Sequence, residues 1–274
     1  MVRGKTPGER LQRWAFHGSV ALAFFLVLAP LVLVVWLSFF DNEILALPPQ
    51  GYSLRWYRAI AGQPQFLSGL TLSVIVALWA TAMALAVSVP AALALTRARF
   101  PGREAVLQLL MTPLIVPAIV IGSALYMGFV EAEVQTGVPF TGSTLGFAMG
   151  HMLIVIPWCL RLVAANLVGV NPFVEEAALS LGATPFETVR IVTLPLIWPG
   201  IVAAALFSFV VSFGNVELSL FLVSPGQTTL PIAILQYLQW KIDPTVAAMS
   251  TLQIVVVAAA LLATDRFVSL AKVV

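Results

Sequence analysis

The fold class this sequence predicts is an all-α membrane protein with six transmembrane helices and both termini in the cytoplasm. Three observations carry it. Of the 274 residues, 60% are hydrophobic and only 9% charged, against about 25% charged in soluble domains, so too little charge remains to solvate a globular surface. Six apolar runs each reach the roughly 20 residues a helix needs to cross a bilayer core about 30 Å thick. Basic residues, finally, crowd into alternate connections. Together these exclude a soluble enzyme, a disordered chain and a disulfide-stapled secreted fold, and a net charge of +2 gives nucleic acid no footing as a partner. The single cysteine, Cys159, lies in an apolar stretch and reads as a buried small hydrophobe.

The expected spans are 17–40, 66–95, 105–130, 144–168, 196–223 and 245–263, each helical because lipid offers no partner to an open backbone. The first follows Arg3, Lys5, Arg10 and Arg13; its apolar run exceeds the 7–15 residues or so of a signal peptide and no small-residue cleavage site follows, so it reads as an uncleaved anchor. Prolines punctuate the spans: Pro30 in the first, Pro90 in the second, Pro113 and Pro117 in the third and Pro157 in the fourth. Each removes a helical hydrogen bond and favours a bend, which either shapes a path or reflects the higher frequency of proline in membrane helices. Gly142, Gly146 and Gly150 open the fourth span at four-residue spacing, leaving one face bare for close packing.

In the fifth span, Ser208, Ser212, Asn215 and Ser219 recur at helical spacing and form one polar stripe on an otherwise apolar helix. The stripe either lines a substrate path or bonds to a neighbouring helix. Glu217 falls nine residues from Ser208, about 180° around an ideal helix, and so lies off the stripe unless Gly214 distorts the chain. An acid at this depth binds a cation, pairs with a partner subunit or reaches the outer interface.

Orientation follows from the fourteen Lys and Arg residues. Eleven fall on one side: those before the first span, Arg97, Arg99 and Arg103 between the second and third, Arg161 and Arg190 around the fourth connection, and Arg266 and Lys272 after the last. Only Arg55, Arg58 and Lys241 fall on the other. The basic side is cytoplasmic by the positive-inside rule. The chain reads as one membrane domain over 1–274, with no connection long enough to hold a nucleotide-binding domain. Gly4, Lys5 and Thr6 lack the upstream glycine of a phosphate-binding loop. His17 and His151 are isolated and make no metal site.

The cytoplasmic connection 171–195 reads as two short helices. Asn171 caps, Pro172 takes the first helical position and Glu175 and Glu176 lie near the positive end of the dipole. Gly182 supplies a left-handed stop. Thr184 and Glu187 form a capping box around Pro185, and the second helix is expected to run to a break at Pro195. Such a unit is either a docking surface or an ordinary interfacial element.

Glu176, Ala177, Ala178, three residues, Gly182, nine residues, then Val192, Leu194 and Pro195 resemble the E-A-A-x3-G-x9-I-x-L-P loop of binding-protein-dependent ABC importer permeases, with Val192 in place of Ile. The resemblance covers roughly 66–267 and is nearest to the second permease subunit of the spermidine/putrescine-type branch, on T-L-P-I-A-I at 229–234 and P-T-V-A-A-M-S-T-L at 244–252. Where that branch carries adjacent acids in the fifth span, this sequence has Gly214 and Asn215.

The resemblance implies a type I ABC importer permease fold in the bacterial inner membrane and no catalysis by this chain. ATP and Mg would sit on a cytoplasmic ATPase dimer, with a second homologous permease and an extracytoplasmic substrate-binding protein completing the assembly. It makes Glu175, Glu176, Ala177, Ala178, Gly182 and Pro195 the ATPase-coupling positions, and Ser208, Ser212, Asn215, Glu217 and Ser219 the substrate path for a polyamine or similar small polar solute. Two other classes stay open on the residues alone. One is an ion-coupled secondary transporter working without an ATPase; the other is an intramembrane hydrolase pairing a serine with His151.

Overall fold

The computed structural model describes residues 7–44 and 47–267, with side chains from residue 12 to 264; Arg3, Lys5 and Lys272, counted for orientation, lie outside the described residues, as do Gly4 and Thr6. Among those described there is no β-strand, only two isolated bridges, Phe40 to Tyr52 and Ser224 to Gln227. Twelve α-helices follow in order: α1 Pro7–Leu37, α2 Arg55–Ala61, α3 Pro64–Arg97, α4 Arg103–Met111, α5 Ala118–Thr136, α6 Thr144–Gly169, α7 Pro172–Ser180, α8 Pro185–Thr188, α9 Leu194–Phe213, α10 Ser219–Leu222, α11 Leu230–Leu238 and α12 Pro244–Phe267. Six are long and apolar enough to cross a membrane: α1, α3, α5, α6, α8 running on into α9, and α12.

Three corrections to the expected helices have a proline or glycine behind them. The run 105–130 is not one helix. Pro113 and Pro117 divide it into α4, a 3₁₀ turn Thr112–Leu114 and α5, and Pro117 itself is extended at φ −54°, ψ 136°; each proline lacks an amide to donate and its ring crowds the preceding turn, so two prolines four apart interrupt the helix. The run 196–223 also breaks, because α9 ends at Phe213 with Gly214 as its cap and the chain resumes only at α10. Pro195, by contrast, does not end the preceding helix. A π-helical segment Val189–Thr193 links α8 to α9, with the Leu194 amide bonding to Val189, and the wider turn accommodates a proline that has no amide to offer. Pro30, Pro90, Pro157 and Pro199 lie inside continuous helices. Residues 230–238 form α11, with Leu230 to Ala233 buried.

The chain divides into two compact units, 1–62 with 237–254 and 63–236 with 255–274. In the first, a loop after α1 folds back on itself. Asp41 and Ser53 amides bond to Gly51 and Phe39 carbonyls, Trp56 Nε1 donates to the Phe40 carbonyl at 2.7 Å, and Arg55 pairs with Asp41 at 3.2 Å while stacking on Trp56. In the same unit Tyr237 donates to the Asp243 carboxylate at 2.7 Å; burial first, and that bond second, push its phenol above the ordinary value.

The second unit is built on α3, α6 and α9, with α3 against α6 the most extensive pairing. Small residues dominate the buried faces of α3 (Ala77, Ala80, Ala84, Ser88 and Ala92) and α9 (Gly200, Ala204 and Ser208) and open that of α6 at Gly146, Ala148 and Gly150, before larger side chains from Ile154 to Leu167. That composition suits membrane helices, which associate by close backbone approach rather than by expelling water. Gly150 meets Leu218 and Leu222, which a Cβ would approach to 3.1 and 2.7 Å. Between α5 and α6 the Glu133 carboxylate accepts from the Phe140 and Thr141 amides and the Thr141 hydroxyl, closing the turn after Gly137.

Candidate functional site

Two polar features stand out in this bundle: the loop 171–195 at one end of α6 and α9, and the interrupted stripe along α9. The loop is built as its sequence directs. The Asn171 side chain accepts from the Phe173 amide at 3.1 Å, and Pro172 fills the first position of α7. At the other end Ala183 and Gly182 amides bond back to Ala178 and Leu179 carbonyls at 3.1 and 3.0 Å, a Schellman closure with Gly182 at φ +95°. Thr184 and Glu187 complete a reciprocal capping box on α8.

Of the coupling positions, Glu176, Ala177, Gly182 and Pro195 are exposed and Ala178 is half-buried. Glu175 turns inward. One carboxylate oxygen accepts from the Thr193 hydroxyl at 2.8 Å and the other lies 2.9 Å from Arg97 Nε, an ion-pair contact without hydrogen-bond alignment. Gly182→Ala would force a side chain into the left-handed region at a cost of about 1–2 kcal/mol. That is a roughly five- to thirtyfold faster amide exchange across α7 by local opening; hydrogen-exchange mass spectrometry checks it, and unchanged exchange would show that Gly182 does not hold the loop.

The stripe is not one face of one helix. Gly214 ends α9, so Ser208 and Ser212 lie on α9, Asn215 in the break and Ser219 on α10. His151 of α6 bridges the interruption: Nδ1 is 2.8 Å from Ser212 Oγ and Nε2 is 3.0 Å from Ser219 Oγ, with all three residues at most 2% exposed. Ser219 Oγ donates to the Asn215 carbonyl at 2.8 Å, so it accepts from Nε2–H and leaves Nδ1 to accept from Ser212, which assigns the neutral Nε2 tautomer. Eight residues along α6, Cys159 Sγ lies 2.9 Å from Ser208 Oγ. Asn215 Oδ1 accepts from the Leu218 amide at 3.0 Å. The three serines are therefore taken up by bonds to α6 or within the break, and Glu217 is the one member of the five that is exposed. His151 does face serines, but both its nitrogens are occupied and neither is held by a carboxylate, so the arrangement is a staple rather than a nucleophile and base.

Sequence reading missed His151, Arg97 and Thr193. His151 sits 61 and 68 residues from its serines, and only the antiparallel register of α6 and α9, which also matches Cys159 to Ser208, brings them together. Arg97 is legible only as a positive charge, and its partner Glu175 only as one of the ATPase-coupling positions.

Membrane-length helices carrying a doubly capped helix–glycine–helix loop are the features that the resemblance to transport permeases leads one to expect. Residues 84–271 match the family of binding-protein-dependent transport system inner membrane components, and the chain belongs to it. It is 28% identical over 232 residues to the Escherichia coli K12 putrescine transport system permease protein PotI, covering 84% of this chain and 82% of that one. To the spermidine/putrescine transport system permease protein PotC of the same organism it is 27% identical over 262 residues, 94% and 96% of the two chains. Its fold is shared by a bacterial ABC transporter involved in import of the acidic polysaccharide alginate, with a TM-score of 0.70 at 14% identity over 97% of this chain and 99% of that one. The chain is thus a multi-pass inner-membrane permease subunit of a binding-protein-dependent ABC importer, a non-catalytic class, and not an ion-coupled secondary transporter.

Proposed function

We propose that this chain forms half of an ATP-driven import path, paired with a second, homologous and non-identical permease, and that a cytoplasmic ATPase dimer docks on loop 171–195. The observation that carries this is the mounting of α7. Its two ends are capped, Glu175 faces the bundle, and Glu176 and Ala177 are left on the outside. Glu176 then pairs with a basic group on the ATPase, Ala177 and Ala178 leave room for close approach, and Gly182 and Pro195 fix where the loop turns and rejoins α9. ATP and Mg belong to the ATPase; this chain binds no cofactor. The loop and both termini face the cytoplasm, in keeping with the basic residues, and a substrate-binding protein docks on the opposite face. Closure of the ATPases opens the path by alternating access.

The cargo is a polyamine or similar small polar solute. Likeness to PotI and PotC supports it, as does the placing of Glu217, an exposed carboxylate beside the break in α9. Ser208, Ser212, Asn215 and Ser219 frame that break and hold its shape.

Affinity purification from the native membrane is expected to recover an ATPase and a second permease. Glu176→Arg is expected to cut ATPase recovery about tenfold or more, the equivalent of 1.4 kcal/mol, at unchanged membrane abundance. Wild-type chain that purifies without an ATPase, or a variant that recovers it undiminished, refutes the docking assignment.

A further inference from the structure

Glu175 is one residue from the proposed docking acid, yet its side chain is only 15% exposed and every contact it makes is internal. Arg97, its partner at the end of α3, also donates through Nη2 to the Leu167 and Val170 carbonyls at 3.2 and 3.1 Å. These carbonyls lie at the end of α6, where Leu167 also accepts from the Val170 amide. Thr193, 1% exposed, closes the π segment at the root of α9. One carboxylate and one guanidinium thus join four pieces of chain: α3, the end of α6, α7 and the π segment.

We infer that Arg97, Glu175 and Thr193 form an internal latch that transmits movement of α7 to α9, making Glu175 a positioning residue rather than an ATPase contact. The inference rests on the proposed docking of an ATPase on the same loop. Without the latch, α7 would be joined to α9 mainly through the chain 181–193, which contains a glycine turn and can flex. With it, a push on α7 acts through Thr193 directly on the foot of the helix whose far end carries the Gly214 break, while Arg97 ties the same carboxylate to α3 and the end of α6. The chemistry favours transmission over docking. Both oxygens of Glu175 are engaged, and freeing them for a partner would strand Arg97 beside two carbonyls in a part-buried site.

The test is hydrogen-exchange mass spectrometry on the whole purified complex in lipid nanodiscs, free of nucleotide and then trapped with ATP, Mg and vanadate. In the wild type, trapping is expected to alter exchange both across α7 and across residues 210–220 around the break. In Glu175→Gln and in Thr193→Val, ATPase recovery and the α7 response are expected to persist, while the response at the break shrinks at least about fivefold, the low end of coupling between linked sites. Arg97→Lys, which keeps the charge but not the fork, is expected to fall between. A merely structural role would lower abundance and both responses together. The latch is overturned if the break fails to respond in the wild type or responds fully in the variants. It is likewise overturned if Glu175→Gln loses the ATPase as Glu176→Arg does. Absence of an ATPase from the wild-type complex refutes the docking assignment instead.

Discussion

Replacing His151 with alanine is expected to lower stability by about 2–4 kcal/mol, among the largest effects of any single substitution in this chain. The change empties a fully buried site, strands the Ser212 hydroxyl and leaves Ser219 with only its bond to the Asn215 carbonyl. An unsatisfied buried hydroxyl costs about 1–3 kcal/mol, and the vacated volume adds a cavity cost. Interhelical hydrogen bonds in membranes average nearer 0.6 kcal/mol, which is why the expected total lies well below the sum of the upper values. Thermal unfolding in detergent reads the loss. Ser219→Ala placed on top of His151→Ala is expected to cost almost nothing further, since residues in one network do not add. A midpoint for His151→Ala within a degree of the wild type would mean that the break in α9 is held by the backbone alone.

Gly146→Ala is expected to be comparably severe for a different reason. A Cβ at that position would overlap the carbonyl oxygen of Phe140. That oxygen cannot retreat freely, because it accepts from the Ser143 amide at 3.2 Å and the Ser143 hydroxyl at 2.8 Å, while the Phe140 amide is held by Glu133. Overpacking against a fixed backbone costs about 1–3 kcal/mol, and here it also undoes the turn that starts α6. Gly128→Ala is the control: it has nothing within 4 Å of the added methyl and is expected to be neutral or slightly stabilising. Equal midpoints for the two alanine variants would show that the α5–α6 turn yields without cost.

The separate fates of these residues show what a sequence can carry. Number and order of the membrane helices were legible because run length alone reports them. The caps of loop 171–195 were legible too, since Asn171, Gly182, Thr184 and Glu187 act on atoms within three or four residues of themselves. Pro195 misled because a proline's effect depends on the helix around it, and a π turn removes the conflict. The stripe on α9 was correctly seen as polar, but whether it meets cargo or protein depends on α6, and spacing within α9 says nothing about His151 or Cys159. Glu175 and Glu176, adjacent and chemically identical, part company for the same reason. The positions of Arg97, 78 residues earlier, and of Thr193 favour Glu175 as the one that turns inward.

The π segment at Val189–Thr193 has one more consequence. Each residue of an ordinary helix advances the azimuth of everything beyond it by about 100°, so a wide turn sets the phase between the docking loop and the whole of α9. Let that segment tighten to ordinary pitch without losing a residue, and Ser208 and Ser212 would swing by about a quarter-turn away from Cys159 and His151. The small residues that let α9 lie close to α6 would go with them. A local change of pitch that a surface loop would absorb would here be read out at Ser208 and Ser212 as a helix facing the wrong way.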